Sequence, residues 1–128
     1  MKLIHSAIRT SDLNKSINFY VNVFGFAIRE KRYIEAHKTT LVFLKNLKTD
    51  CEIELIADDN PKPLAKCENS FAHLAFQTDN IDEDAKKIKD AGVNFLREPF
   101  YSLDRSMKIA FLADPNDIMI EIIEYLIS

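Results

Sequence analysis

Apolar positions along this chain change period in a repeating way. Leu13, Ile17, Tyr20, Val21 and Phe24 recur at helical spacing behind the capping candidates Ser11 and Asp12. Ile81, Ala85, Ile88 and Ala91 do the same behind Asp79 and Asn80. The only two glycines, Gly25 and Gly92, each stand just past one of these stretches, where a helix ends most readily in a left-handed residue. The pattern predicts two helices with matching start and stop signals.

The flanks match as well. Ile4-His5-Ser6-Ala7-Ile8-Arg9-Thr10 precedes the first helix and Ala72-His73-Leu74-Ala75-Phe76-Gln77-Thr78 the second, each a short strand running into a cap. After each glycine the runs turn strand-like again, at 26–29, 39–44 and 52–56 in the first half and at 93–97, 107–112 and 118–123 in the second. Each half therefore reads β-α-β-β-β. Residues 57–70, with Pro61, Pro63 and several turn formers, form the one good linker, so module 1 is 1–56 and module 2 is 71–128. Two copies at an offset near 68 residues mark a duplicated module rather than a solenoid, and predict an α+β chain of two βαβββ modules.

Composition narrows the function classes. The 128 residues suit a single domain with a proper core, and the net charge of −3 with no basic tract argues against nucleic acid. No apolar run has the length of a membrane span, and the first residues, charged at Lys2, Arg9 and Asp12, carry no signal-peptide core. Cys51 and Cys67 stand 16 apart in no metal-type spacing and read as reduced bystanders. The expected location is the cytoplasm.

The repeat also duplicates chemistry. Two of the three histidines, His5 and His73, occupy equivalent positions, and each module carries a glutamate in its last, very apolar strand. Glu54 follows His5 by 49 residues and Glu121 follows His73 by 48. A carboxylate inside such a run needs a partner, and a metal ion is one. The competing reading makes Glu52 and Glu54 the solvent side of an edge strand. Matched offsets favour the shared site: one His and one Glu from each module around one divalent ion. Two imidazoles and two carboxylates suit an octahedral ion such as Ni²⁺, Co²⁺ or Zn²⁺ with positions open to substrate. His37, in a polar stretch without a counterpart, reads as exposed. The chain has neither a Gly-rich phosphate loop nor a nucleophile-elbow pattern.

At these residues the sequence resembles the vicinal-oxygen-chelate superfamily, and within it the glyoxalase I (lactoylglutathione lyase) group of the short bacterial type. The resemblance spans essentially the whole chain. It runs through Leu3-Ile4-His5 with Ile8-Arg9, Asp12-Leu13, Ser16-Ile17, Phe19-Tyr20 and Val23-Phe24-Gly25. It continues through Ile53-Glu54-Leu55, Ala72-His73-Leu74-Ala75, Asp114-Pro115 and Ile120-Glu121. It implies the glyoxalase/bleomycin-resistance/dioxygenase fold and metal ligands at His5, Glu54, His73 and Glu121, with Ni²⁺ or Co²⁺ favoured and Zn²⁺ possible. It further implies conversion of the methylglyoxal–glutathione hemithioacetal to S-lactoylglutathione through a metal-bound enediolate. Glu121 would act as base with Glu54 opposite it, and Arg9 would hold a carboxylate of the glutathione co-substrate. By the same resemblance the modules face one another across a homodimer, with the site at the subunit interface.

Some positions depart from the pattern. Relatives often carry an asparagine four residues after the first glutamate, where it helps hold glutathione; here it is Asp58. The usual Asp-Pro-Asp-Gly turn reads Asp114-Pro115-Asn116-Asp117, and Arg105 and Lys108 lie before the third strand of the second module. The alternatives are another metal-dependent enzyme of the superfamily, a thioester epimerase or a thiol transferase, and a metal-free small-molecule binding protein.

Overall fold

The computed structural model describes residues 4–62, 71 and 73–126. Leu3, Cys67, Ala72 and the 63–70 part of the linker, all used in the sequence reading, lie outside the described residues.

The chain forms two compact units, each βαβββ. The first runs β1 (His5–Arg9), α1 (Leu13–Phe24), β2 (Ala27–Ile34), β3 (Thr39–Lys45) and β4 (Glu52–Asp58). The second runs β5 (His73–Gln77), α2 (Ile81–Asp90), β6 (Phe95–Tyr101), β7 (Met107–Ala113) and β8 (Met119–Tyr125). Each unit holds one mixed four-stranded sheet, in the orders β1-β4-β3-β2 and β5-β8-β7-β6. The first strand pairs parallel to the last, and the other ladders are antiparallel. A parallel pair needs a crossover, and the helix supplies it. The last strand therefore sits between two neighbours. Glu54 and Glu121 lie on interior strands, which removes the edge-strand reading of Glu54.

Capping follows the sequence signals closely. The Asp12 side chain accepts from the Lys15 N–H at 3.1 Å, and Asn80 accepts from Glu83 at 3.0 Å, each satisfying a helix-end donor. Gly25 closes α1 in the left-handed conformation at φ 71°. In α2 one residue intervenes: Ala91 caps the helix and Gly92 takes the positive φ of 85°. Glu124, on β8, adds an acceptor for the Ile81 N–H at 2.8 Å. Asp82, Glu83 and Asp84 in the first turn of α2, with Lys87 and Lys89 in its last, suit the helix dipole.

Alternation sorts the two faces of each sheet. Ile8, Val42, Leu44, Ile53 and Leu55 are buried on the side where α1 packs, together with Tyr20 and Phe26. The second core repeats this with Ala110, Leu112, Ile120 and Ile122 against Ile81, Ala85 and Ile88. Phe19, Tyr20, Phe24 and Phe26 form one ring cluster along α1 and its exit into β2. The opposite face carries the polar chemistry.

Three local features differ from the sequence reading. β4 extends through Asp58, two residues into the expected linker, because Thr40 and Thr39 on β3 continue the ladder against Ala57 and Asp58. β2 and β6 run longer than expected, and both carry bulges, which absorb Arg29 in β2 and accommodate Pro99 in β6. In the 114–117 turn, Asp114 is buried and accepts from the backbone of Asn116 and Ile118, while Asp117 adopts φ 63° in place of a glycine. Asp tolerates that conformation better than most side chains, so the turn keeps its shape.

Candidate active site

On the open face of the first sheet, β1 brings His5 beside Glu54 of the interior strand β4. The imidazole Nε2 lies 3.0 Å from Glu54 Oε2. The second unit repeats the pair: His73 Nε2 lies 3.1 Å from Glu121 Oε2. The two glutamate side chains keep 13% and 17% of their exposure, so water reaches them poorly, whereas the histidines keep 30% and 40% and close each pair from the open side. Matching geometry follows from matching register. His5 pairs with Glu52 and Ala7 with Glu54; His73 pairs with Met119 and Ala75 with Glu121. In both units the histidine reaches diagonally past a small alanine to the glutamate two residues along.

The donor chemistry suits a divalent cation. Each pair offers one imidazole nitrogen and one shielded carboxylate, and such a carboxylate gains most from a positive partner. The structure brings together His5 with Glu54 and His73 with Glu121. Among the described residues no group of three or more His, Cys, Asp and Glu side chains gathers as a ready metal cluster.

Glu52, the neighbouring acid on the same face, is already engaged. Arg29 forks onto it, with Nη2 to Oε1 at 2.9 Å and Nε to Oε2 as a second, shorter bond. Those hydrogen bonds hold the Glu52 carboxyl below its usual range. The fork separates Glu52 from Glu54 as a ligand candidate, a distinction that spacing alone leaves open. His37 sits exposed in a 3-10 turn over Glu35–His37, as expected.

Arg9, at the end of β1, lies with Nη1 3.5 Å from Asp58 Oδ2 at the end of β4. Asp58 Oδ1 also accepts the Thr39 hydroxyl at 2.7 Å. The acid that departs from the family pattern therefore stands within ion-pair distance of the very arginine expected to hold a ligand carboxylate. In the second unit Lys108 belongs to β7, where its ammonium reaches Asp82 Oδ2 at 2.5 Å and lies 5.1 Å from the Tyr101 ring centre. Arg105 stacks over the same ring at 4.9 Å. Both cations are engaged within their own unit.

Fold and paired side chains define a two-module βαβββ protein with a duplicated His–Glu motif. Residues 2–122 match the model of the Glyoxalase/Bleomycin resistance protein/Dioxygenase superfamily, and the chain belongs to that superfamily. It is similar to the probable lactoylglutathione lyase of Vibrio cholerae, 34% identical over 96% of this chain and 90% of the relative. The lactoylglutathione lyase of Neisseria meningitidis is 30% identical over 97% of this chain and 91% of its own. The chain is thus lactoylglutathione-lyase-like over nearly its whole length, a glyoxalase-type protein. Among solved structures, glyoxalase I from Zea mays superposes with a TM-score of 0.80 at 27% identity. That match covers 98% of this chain and 47% of the maize chain, so the chain spans about half of its length. A glyoxalase family protein from Enterococcus faecalis shares the fold at a TM-score of 0.81 and 23% identity, with 96% and 97% of the two chains covered. No helix among the described residues is long and apolar enough to cross a membrane.

Proposed function

We propose that this chain isomerises the hemithioacetal of methylglyoxal and glutathione to S-lactoylglutathione, using a divalent metal held by His5, Glu54, His73 and Glu121. The observation that carries the reading is the duplicated pair, His5–Glu54 and His73–Glu121, with matching separations on the open faces of two equivalent sheets. Its relatives named lactoylglutathione lyase support the substrate assignment.

The reaction moves one proton between neighbouring carbons and one between their oxygens, and needs no outside oxidant or reductant. A carboxylate takes the proton from the carbon bearing sulfur, and the electron pair of that C–H bond becomes the enediol double bond. A proton delivered to the neighbouring carbon, with the first hydroxyl's proton passing to the oxygen on that neighbouring carbon, leaves the 2-hydroxy thioester. A bound divalent ion, Ni²⁺ or Co²⁺ by preference and Zn²⁺ as an alternative, would polarise the substrate oxygens and offset the charge that develops as the proton leaves. Glu121 is assigned as the base and Glu54 as the opposite proton carrier. Their shielding from water keeps each carboxylate available to substrate rather than to solvent. Arg9 is assigned to a carboxylate of the glutathione arm.

The assembly belongs to the same proposal: a homodimer, with His5 and Glu54 from one protomer completing the site with His73 and Glu121 of its partner. The decisive measurement is the metal content of the purified chain, followed by lactoylglutathione formation after Ni²⁺, Co²⁺ or Zn²⁺ is restored to the apoprotein. Turnover restored by a metal supports the reading. Metal binding without lactoylglutathione formation points to an epimerase or thiol transferase, and no binding at all overturns the site. Light scattering on the same samples reads the assembly: a single-chain mass overturns the dimer.

A further inference from the structure

The two histidines of the proposed site are not held alike. The Phe43 ring meets His5 edge to face, with ring centres 5.9 Å apart and planes at 70°. Phe43 is the register partner of Glu54 on β3, so it lies on the same open face. Behind it, the Arg29 guanidinium carbon lies 5.0 Å from the Phe43 ring centre, over its face. Arg29 is the extra residue of the β2 bulge, and its fork is tied to Glu52, the register partner of His5. The chain of contacts therefore closes: His5 to Phe43, Phe43 to Arg29, Arg29 to Glu52, and Glu52 back beside His5 across the β1–β4 ladder.

The second unit has the corresponding strand residue but not the bracket. Phe111 is the register partner of Glu121, as Phe43 is of Glu54. Its ring instead meets Phe100 at 6.2 Å, and Arg97 stacks on Phe100 at 3.4 Å. Met119, an apolar residue, takes the place opposite His73 that Glu52 takes opposite His5. Among the described residues His73 makes no ring contact.

We infer that Phe43, clamped by Arg29 and Glu52, is a positioning residue that fixes the plane of the His5 imidazole, whereas among the described residues His73 is held by its contact with Glu121 and by no such ring. An aromatic edge-to-face contact has a preferred geometry, and a cation over the same ring helps hold that ring in place. Fixing a ligand ring before metal binding removes the ordering cost from the binding step. Contacts one layer behind metal ligands typically change metal affinity by about 10- to 100-fold when removed. This inference rests on the proposed metal role of His5, and the test separates the two.

The experiment uses Zn²⁺ alone, titrated against a competing chelator, with wild type, Phe43→Leu, Phe43→Tyr, Arg29→Ala and Phe111→Leu. The NMR signals of the His5 ring are followed in the metal-free proteins. Phe43→Leu should weaken Zn²⁺ binding about 10-fold or more and shift the His5 ring protons as the aromatic neighbour is lost. Phe43→Tyr, which keeps the ring edge, should restore both, Arg29→Ala should give an intermediate loss, and Phe111→Leu should leave the His5 signals in place. Unchanged His5 ring signals in Phe43→Leu, or Zn²⁺ affinity within about twofold of wild type, would overturn the inference. A wild type that binds no Zn²⁺ removes the ligand role of His5, whereas the NMR comparison still decides whether Phe43 orients its ring.

Discussion

His5 Nε2 lies 3.0 Å from Glu54 Oε2, although the sheet registers His5 against Glu52. The imidazole bypasses its register partner because Arg29 already occupies Glu52, and because Ala7, opposite Glu54, is too small to stand in the way. His73 and Glu121 repeat the diagonal past Ala75 at 3.1 Å. One geometric rule thus generates both halves of the proposed site.

If Glu121 is the base, Glu121→Gln should keep divalent-metal binding, since His73 and an amide oxygen remain in place. It should lose about 10²- to 10⁴-fold in kcat, the usual span for a general base. Metal titration beside steady-state kinetics reads both quantities. Turnover within tenfold of wild type would assign the proton transfer elsewhere.

Asp58 sets a charge beside the arginine assigned to the glutathione arm. A ligand carboxylate reaching Arg9 also meets the Asp58 carboxylate, and near the surface such repulsion is worth roughly 1 kcal/mol at most. Asp58→Asn keeps an oxygen for the Thr39 hydroxyl while releasing Arg9. It should lower KM for the glutathione adduct by about two- to fivefold with little change in kcat, a range that follows from that energy. A raised KM would show that Asp58 contributes to binding.

Tyr33 gives a test of the fold that is independent of the site. Its hydroxyl donates to Asp59 Oδ2 at 2.6 Å, and that hydrogen bond to a carboxylate pushes the phenol up to about 12. Because the folded value is raised, the contribution of this bond is complete below the ordinary value of about 10 and is lost as pH rises through about 12. Spectrophotometric titration should find a tyrosine transition near 12 that moves toward about 10 in Asp59→Ala. An unmoved transition would mean that the bond does not form in solution.

Leu55 is fully buried between β4 and α1, one residue from Glu54 on the opposite face. Leu55→Ala should cost about 2–5 kcal/mol of stability through lost burial and the cavity left behind. Denaturant unfolding with an unchanged slope checks this; a cost under about 1 kcal/mol would mean that the first core repacks easily.

Legibility followed the range of each interaction. Asp12, Gly25 and Asn80 act on backbone within a few residues, so the helix ends could be read from spacing alone. β1, β4, β5 and β8 were visible because apolar positions alternate or run continuously between turn residues. The extension of β4 through Asp58 was not, since Ala57-Asp58-Asp59-Asn60-Pro61 has turn composition and only the partner strand β3 keeps it extended. The bulge that turns Arg29 toward Glu52 is equally invisible in a string of polar residues.

The sequence by itself determined the duplicated βαβββ pattern and the helix caps, and it singled out the four residues proposed to share a metal, because periodicity and matched offsets are written along one dimension. Only the tertiary structure decided which acid each basic side chain faces: Glu52 for Arg29, Glu54 for His5 and Asp58 for Arg9. Those choices depend on strand order and register, which bring side chains from β1, β2 and β4 to one face across separations that no local signal spans.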